Sequence, residues 1–147
     1  MATTDKALWR SVRKEEFSNG TIIGDDPAPG VLYPDFYART LPGGSVRQAD
    51  VVLFRDSLGQ EWVKSAGGTS LFDVKSVFKG KSWLSFEIPA GTVIPASLII
   101  RETGYNQRFK ANHYQIECAA KSLRIDAFKG ALDNLARNAV VRSVELA

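Results

Sequence analysis

The plainest pattern in the chain lies near its C-terminus. Ile125, Phe128, Leu132, Leu135 and Ala139 recur at intervals of three and four residues, and Lys129, Asp133 and Arg137 fall off that stripe. This is the period of an amphipathic helix, predicted from about Ser122 to Glu145. The middle of the chain reads as short strands. Ala7-Leu-Trp-Arg-Ser-Val12, Val51-Val-Leu-Phe54, Glu61-Trp-Val-Lys64, Trp83-Leu-Ser-Phe-Glu-Ile88 and Leu98-Ile-Ile-Arg101 are the candidates. His113-Tyr-Gln-Ile-Glu-Cys118 alternates, with His113, Gln115 and Glu117 on one face and Tyr114, Ile116 and Cys118 on the other. Leu71, Val74 and Phe78 have helical spacing, Thr69 or Ser70 suits an N-cap, and Asp73 is an acid in a first turn. Gly67-Gly68 are therefore expected to lead into a helix N-terminus.

Asn19-Gly20 and Asp25-Asp26-Pro27-Ala-Pro29-Gly30 carry turn chemistry. Residues 31–49 mix Tyr33, Phe36 and Tyr37 with Pro34, Pro42 and Gly43-Gly44, as an ordered but irregular covering loop would. Strands in the middle and a long closing helix give an α+β class with a largely antiparallel sheet. The 147 residues suit a single domain, 1–147, with a core of its own.

Composition narrows the chemistry. Cys118 is the only cysteine and His113 the only histidine, so an internal disulfide is excluded, and no metal site of several cysteines or histidines is expected. A lone thiol fits a reducing cytoplasm. No apolar run approaches the length of a membrane span, so no membrane partner is expected, and no apolar leader opens the sequence. The net charge is +3, with acids and bases in balance up to Ile100. That is mild for a duplex-DNA binder and suits an anionic nucleotide or an acidic partner at least as well.

Four places carry candidate chemistry. Gly67-Gly68-Thr69-Ser70 combines close backbone approach, free N–H groups and two hydroxyls, and equally reads as a plain turn with an N-cap. Arg10, charged within a strand, is suited to clamp a phosphate or ribose, or simply faces outward. His113 is a proton carrier near neutral pH or a hydrogen-bonded structural residue. Phe72, Trp83 and Tyr114 can stack on a nicotinamide or adenine ring, or belong to the core. Tyr105–Asn112 is polar, basic and aromatic, lining a cleft or forming a solvated loop. Cys118 has no activating neighbour and reads as buried and inert.

Taken in order, these strings resemble a known family. Leu8-Trp-Arg10, Gly67-Gly-Thr-Ser-Leu-Phe-Asp73, Ile88-Pro89-x-Gly91-Thr92-x-Ile94-Pro95, Tyr105-Asn106-x-Arg108, Ala111-x-His113-Tyr114-x-Ile116 and Leu132-Asp-Asn-x-x-Arg137-Asn138-Ala139 carry the likeness. The chain is similar to the second group of type VI secretion exported effectors, toxins of the ADP-ribosyltransferase fold. The match is strong from residue 67 onward and weak between 13 and 50. It implies a mixed, mostly antiparallel sheet split around an NAD-binding cleft. Arg10 would anchor the dinucleotide, and Thr69 and Ser70 would orient the nicotinamide ribose. The backbone at Gly68 would hold the nicotinamide amide and His113 would face the same cleft, with Phe72 and Tyr114, from the reading of the residues themselves, as candidate rings to bind the cofactor. It also implies a cytoplasmic producer, delivery into the cytoplasm of a target cell without a signal peptide, an acceptor there, and a cognate immunity protein. The chain departs from many ADP-ribosyltransferases in lacking Glu-x-Glu; Glu102 and Glu117 are acid candidates by position.

Two other functions remain compatible with the residues. One is an RNA-directed toxin using His113, Arg108 and Lys110 on phosphates. The other is a non-catalytic cleft that docks a protein partner.

Overall fold

The computed structural model describes residues 1–14 and 29–147. The turn signals at Asn19-Gly20 and Asp25-Asp26-Pro27 lie outside the described residues. The strands are β1 (Leu8–Arg13), β2 (Arg39–Thr40), β3 (Val46–Arg47), β4 (Val51–Arg55), β5 (Glu61–Gly67), β6 (Thr69–Phe72), β7 (Trp83–Ile88), β8 (Leu98–Asn106), β9 (Ala111–Cys118) and β10 (Ser122–Arg124), and helix α1 (Ile125–Leu146) follows them. A five-stranded sheet runs β7-β1-β6-β9-β8, a three-stranded sheet runs β10-β5-β4, and β2-β3 form a small hairpin. Each of these pairings is antiparallel. The α+β class with a long C-terminal helix is thus observed.

The helix forms where its period places it. Phe128, Leu132 and Leu135 are fully buried, and the small Ala131, Ala136 and Ala139 let its backbone approach the sheets. Burying each large side chain contributes roughly 1.5–3 kcal/mol. Leu8, Val12, Leu71, Phe86, Ile88, Leu98 and Ile116 supply the sheet's side of the core, and Val63 joins from β5. The helix starts three residues later than its pattern suggests. Ser122, Leu123 and Arg124 pair with Lys64, Val63 and Trp62 instead, because extended backbone there closes an open sheet edge.

The largest departure from the sequence reading is at residues 69–78. No helix starts at Thr69. Thr69–Phe72 is a strand held against β9, in the register Thr69↔Ile116 to Phe72↔His113. Leu71 is buried, but Val74 and Phe78 are exposed, so their helical spacing is not an inward stripe. Asp73 accepts hydrogen bonds from the Asn112 backbone N–H (2.8 Å) and side-chain amide (2.9 Å), fastening the strand end rather than a helix dipole. The two glycines before the strand serve close packing. A Cβ on Gly68 would meet the Ile116 carbonyl oxygen at 1.8 Å, and one on Gly67, at φ +85°, would meet the Asp50 carbonyl oxygen at 2.0 Å.

Two features of the sheet position the site. β1 pairs with β7 along its whole length but with β6 only at Trp9↔Phe72, so the sheet parts there. The polar stretch 105–112 is the tip of the β8-β9 hairpin, where Asn106 Oδ1 accepts the Phe109 N–H at 3.1 Å.

The backbone contact at Gly68 is testable by unfolding. Gly68→Ala should cost about 3 kcal/mol or more, since backbone rather than a movable side chain stands in the way. Urea midpoints of the two proteins measure it.

Candidate active site

Where β1 and β6 part, a cleft of about 390 Å³ opens, within the range of small-molecule sites. Its floor is Arg10 and Ser70, one wall carries Phe72, Phe78 and Trp83, and the facing wall is the covering segment with Tyr33, Asp35 and Asp50. Arg10 holds the parting strands together. Its Nη1 donates to the Ser70 carbonyl at 3.3 Å and its Nη2 to the Tyr33 carbonyl at 3.1 Å. A carbonyl that leaves a sheet ladder needs another donor, and the guanidinium fork supplies two at once.

The covering segment is pinned at several points. The Thr69 hydroxyl donates to the Leu32 carbonyl at 2.6 Å. The Gly68 N–H donates to the Asp50 carbonyl at 3.0 Å. Asp133 of α1 accepts from the Tyr33 hydroxyl (2.8 Å) and the Gly30 N–H (3.0 Å). Burial and then that carboxylate push the Tyr33 phenol up to about 12. The Asp35 N–H donates to the Asp50 carboxylate and the Asp50 N–H to the Asp35 carbonyl. The two acids share Arg47, whose Nε lies 3.2 Å from Asp35 and whose Nη2 lies 3.4 Å from Asp50.

The cleft is cationic. Arg10, Arg13, Arg39 and Arg47 line it against Asp35 and Asp50. Among the described lining residues the four guanidiniums exceed the two carboxylates, and Arg47 bridges that acid pair. Arg13 lies over the Trp83 ring, 4.6 Å from its centroid.

Of the residues singled out in the sequence, Arg10, Ser70, Phe72 and Trp83 converge on this cleft. Thr69 does not reach it: the residue is fully buried and its hydroxyl is committed to Leu32. The Gly68 N–H is committed to Asp50, so it is not presented to a ligand amide. His113 stands one ring behind the wall, 5.1 Å from Phe72 between centroids, with Nδ1 against the Thr103 hydroxyl. Burial lowers its pKa. Tyr114 lies on the opposite face of the sheet, lining a separate cavity with Lys6 and Glu102. Glu117 is buried and engaged by Arg101 (2.7 Å) and Gln115 (2.6 Å). Burial pushes its carboxyl up, but those hydrogen bonds overcome the penalty and hold it below its ordinary value. Cys118 is buried, and burial raises its thiol pKa. The sequence reading missed Arg13, Asp35, Arg39, Arg47 and Asp50. The signal available was the density of charge inside a loop already read as covering.

Comparison with known proteins bears on the chain as a whole. The model of the Tse2 ADP-ribosyltransferase toxin family matches residues 4–144. Toxin Tse2 of Pseudomonas aeruginosa is 38% identical over 154 aligned positions, covering 98% of this chain and 94% of its own.

The chain belongs to the Tse2 ADP-ribosyltransferase toxin family.

Membership makes it a toxin with a transferase domain, and its α+β architecture is consistent with that fold. Among the described residues of this Tse2-family chain no glutamate lines the cleft, and the carboxylates there are Asp35 and Asp50.

Two measurements follow from the geometry. Thr69→Val keeps shape but leaves the Leu32 carbonyl without its donor, and should cost about 1–3 kcal/mol of stability by urea unfolding. His113 has its folded pKa lowered, so its neutral form is favoured in the native state. Its contribution is fully present above its unfolded value of about 6.5 and is lost as pH falls through the folded pKa. The loss of stability between pH 7.5 and pH 5 should therefore be smaller in His113→Gln than in the parent.

Proposed function

We propose that this chain is an NAD-dependent ADP-ribosyltransferase toxin whose donor nucleotide occupies the cleft between β1 and β6. The observation that carries this reading is the convergence of Arg10, Ser70 and Phe72 on one cationic, aromatic-walled cleft in a member of this family. The lining residues fit a dinucleotide. Four arginines against two aspartates among the described lining residues suit a pyrophosphate, and the rings of Phe72, Phe78 and Trp83 offer stacking faces. When bound, NAD supplies an ADP-ribosyl group with nicotinamide as the leaving group.

The chain's own residues do the positioning. Arg13 and Arg39 hold phosphate oxygens from the cleft wall, and Arg10 adds positive potential from the floor. The Ser70 hydroxyl bonds a ribose hydroxyl, while Thr69, its neighbour, supports the covering segment from below. Positive charge developing on a ribose is favoured by the field of Asp35 and Asp50, tempered by Arg47. His113 acts through Phe72 and keeps that ring in place. The acceptor lies in the cytoplasm of a recipient cell, and a cognate immunity protein protects the producer.

Nicotinamide release from NAD by the purified chain, with and without a cell lysate, tests the reading. The parent should release nicotinamide and label an acceptor. Ser70→Ala should lower kcat/KM by about 10- to 100-fold with the urea midpoint nearly unchanged, as expected for a lost hydrogen bond to a bound substrate. Absence of release and of label from the folded parent would sink it.

A further inference from the structure

We infer that the surface beside the cleft is a binding site for a single-stranded polynucleotide. Three segments meet there: the end of β1, the connection between β6 and β7, and the tip of the β8-β9 hairpin. Residues 8–14, 73–83 and 105–112 together carry eight cations and one acid, Asp73, while the whole chain has a net charge of only +3. The rest of the molecule is therefore net acidic, and the positive charge is concentrated at this place. Glu15 and Glu16, next in sequence, lie outside the described residues.

Ring contacts join the three segments. Phe78 and Trp83 stack at 4.7 Å with an interplanar angle of 20°, and Arg13 covers the Trp83 ring. Phe109, from the hairpin tip, packs edge-on against Phe78 at 5.0 Å, and Arg108 lies over the Phe109 ring at 5.4 Å. The Lys14 N–H bonds the Ser82 carbonyl at 2.9 Å, holding Lys14 close to Lys81. Lys14, Lys75, Lys79 and Lys81 are exposed and form no ion pair among the described residues. Phe78 is 36% exposed.

The Phe78-Trp83 pair is also a partition. On one side lies the main cleft. On the other is a smaller pocket of about 130 Å³ lined by Ser76, Lys79, Gly80 and Ser85, with Ser11, Phe78 and Trp83 common to both. The Ser85 hydroxyl is buried and has no hydrogen-bond partner among the described residues, an arrangement that native structures rarely leave unexplained. A strand crossing this partition would lay bases on the exposed Phe78 ring and phosphates against the lysines.

Charge alone would also attract an acidic protein. The rings favour the polynucleotide, because every base has a face to stack and each such contact is worth about 1–3 kcal/mol. An acidic peptide gains nothing comparable from Phe78. The location differs from a phosphate site built on His113, since that ring stands behind Phe72. A strand bound here would lie alongside the proposed nucleotide cleft.

Fluorescence anisotropy of the full chain with labelled single-stranded RNA of about 16 nucleotides, without NAD, tests the inference. The same sequence as DNA and a polyglutamate of matched charge form the other arms. The parent should bind either strand with roughly micromolar affinity at low salt, and polyglutamate at least tenfold more weakly. Tighter binding of RNA than DNA assigns a 2′-hydroxyl contact, and equal binding assigns the shared backbone and bases. Lys79→Gln/Lys81→Gln, on exposed side chains, should flatten the slope of log affinity against log salt by about 1.4. Phe78→Leu keeps an apolar side chain against Phe109 and should weaken binding about fivefold or more. Polyglutamate bound as tightly as the strands, or affinity unmoved by Phe78→Leu with the fold intact by circular dichroism, would overturn it. Nicotinamide release by the double lysine variant should equal that of the parent. A chain that binds RNA but releases no nicotinamide would defeat only the transferase reading.

Discussion

The structure turns on a guanidinium placed where two strands separate. β1 and β6 meet at one register position, and past it their backbones can no longer satisfy each other. Arg10 reaches across with two donors, one to Ser70 on β6 and one to Tyr33 on the covering segment. That side chain therefore sets the width of the gap and the position of its roof. A lysine has one ammonium and no fork, so it cannot hold two carbonyls in a fixed plane. The cleft exists because the sheet is held open at this point and closed everywhere else.

Around that gap, Gly67-Gly68-Thr69-Ser70 acts as a row of fasteners. Gly67 and Gly68 admit backbone from Asp50 and Ile116 at distances no side chain would allow. Thr69 takes Leu32, and Ser70 takes Arg10. The string supports the site chiefly from beneath, and only Ser70 turns toward the cleft. A sequence signature of this kind is thus compatible with a ligand site in which most of its residues touch no ligand.

How much of this was legible in the sequence depended on how local its cause is. The amphipathic helix was visible because its period is set by its own burial. β7 was visible for a similar reason, as a short apolar run bounded by Pro89 and Gly91. Thr69–Phe72 was read as a helix start because Leu71, Val74 and Phe78 have the right spacing; pairing with β9, more than 40 residues away, overrode it. The sequence singled out Arg10, Ser70, Phe72 and Trp83, and their convergence follows from strand register. It did not reveal Asp35, Arg39, Arg47 and Asp50, since nothing local distinguishes a charge that folds over a cleft from one that faces water. Tyr114 and His113 are adjacent in the chain yet lie on opposite faces, a consequence of the strand period of two.

The contact between Tyr33 and Asp133 links residues 100 positions apart. The roof of the cleft is consequently fastened by the last element of the fold. A chain synthesised from its N-terminus carries Arg10, Ser70 and the aromatic wall long before it carries their clasp. Closing so long a loop is slow relative to local structure. The clasp on the roof therefore cannot form until the closing helix has been made and docked.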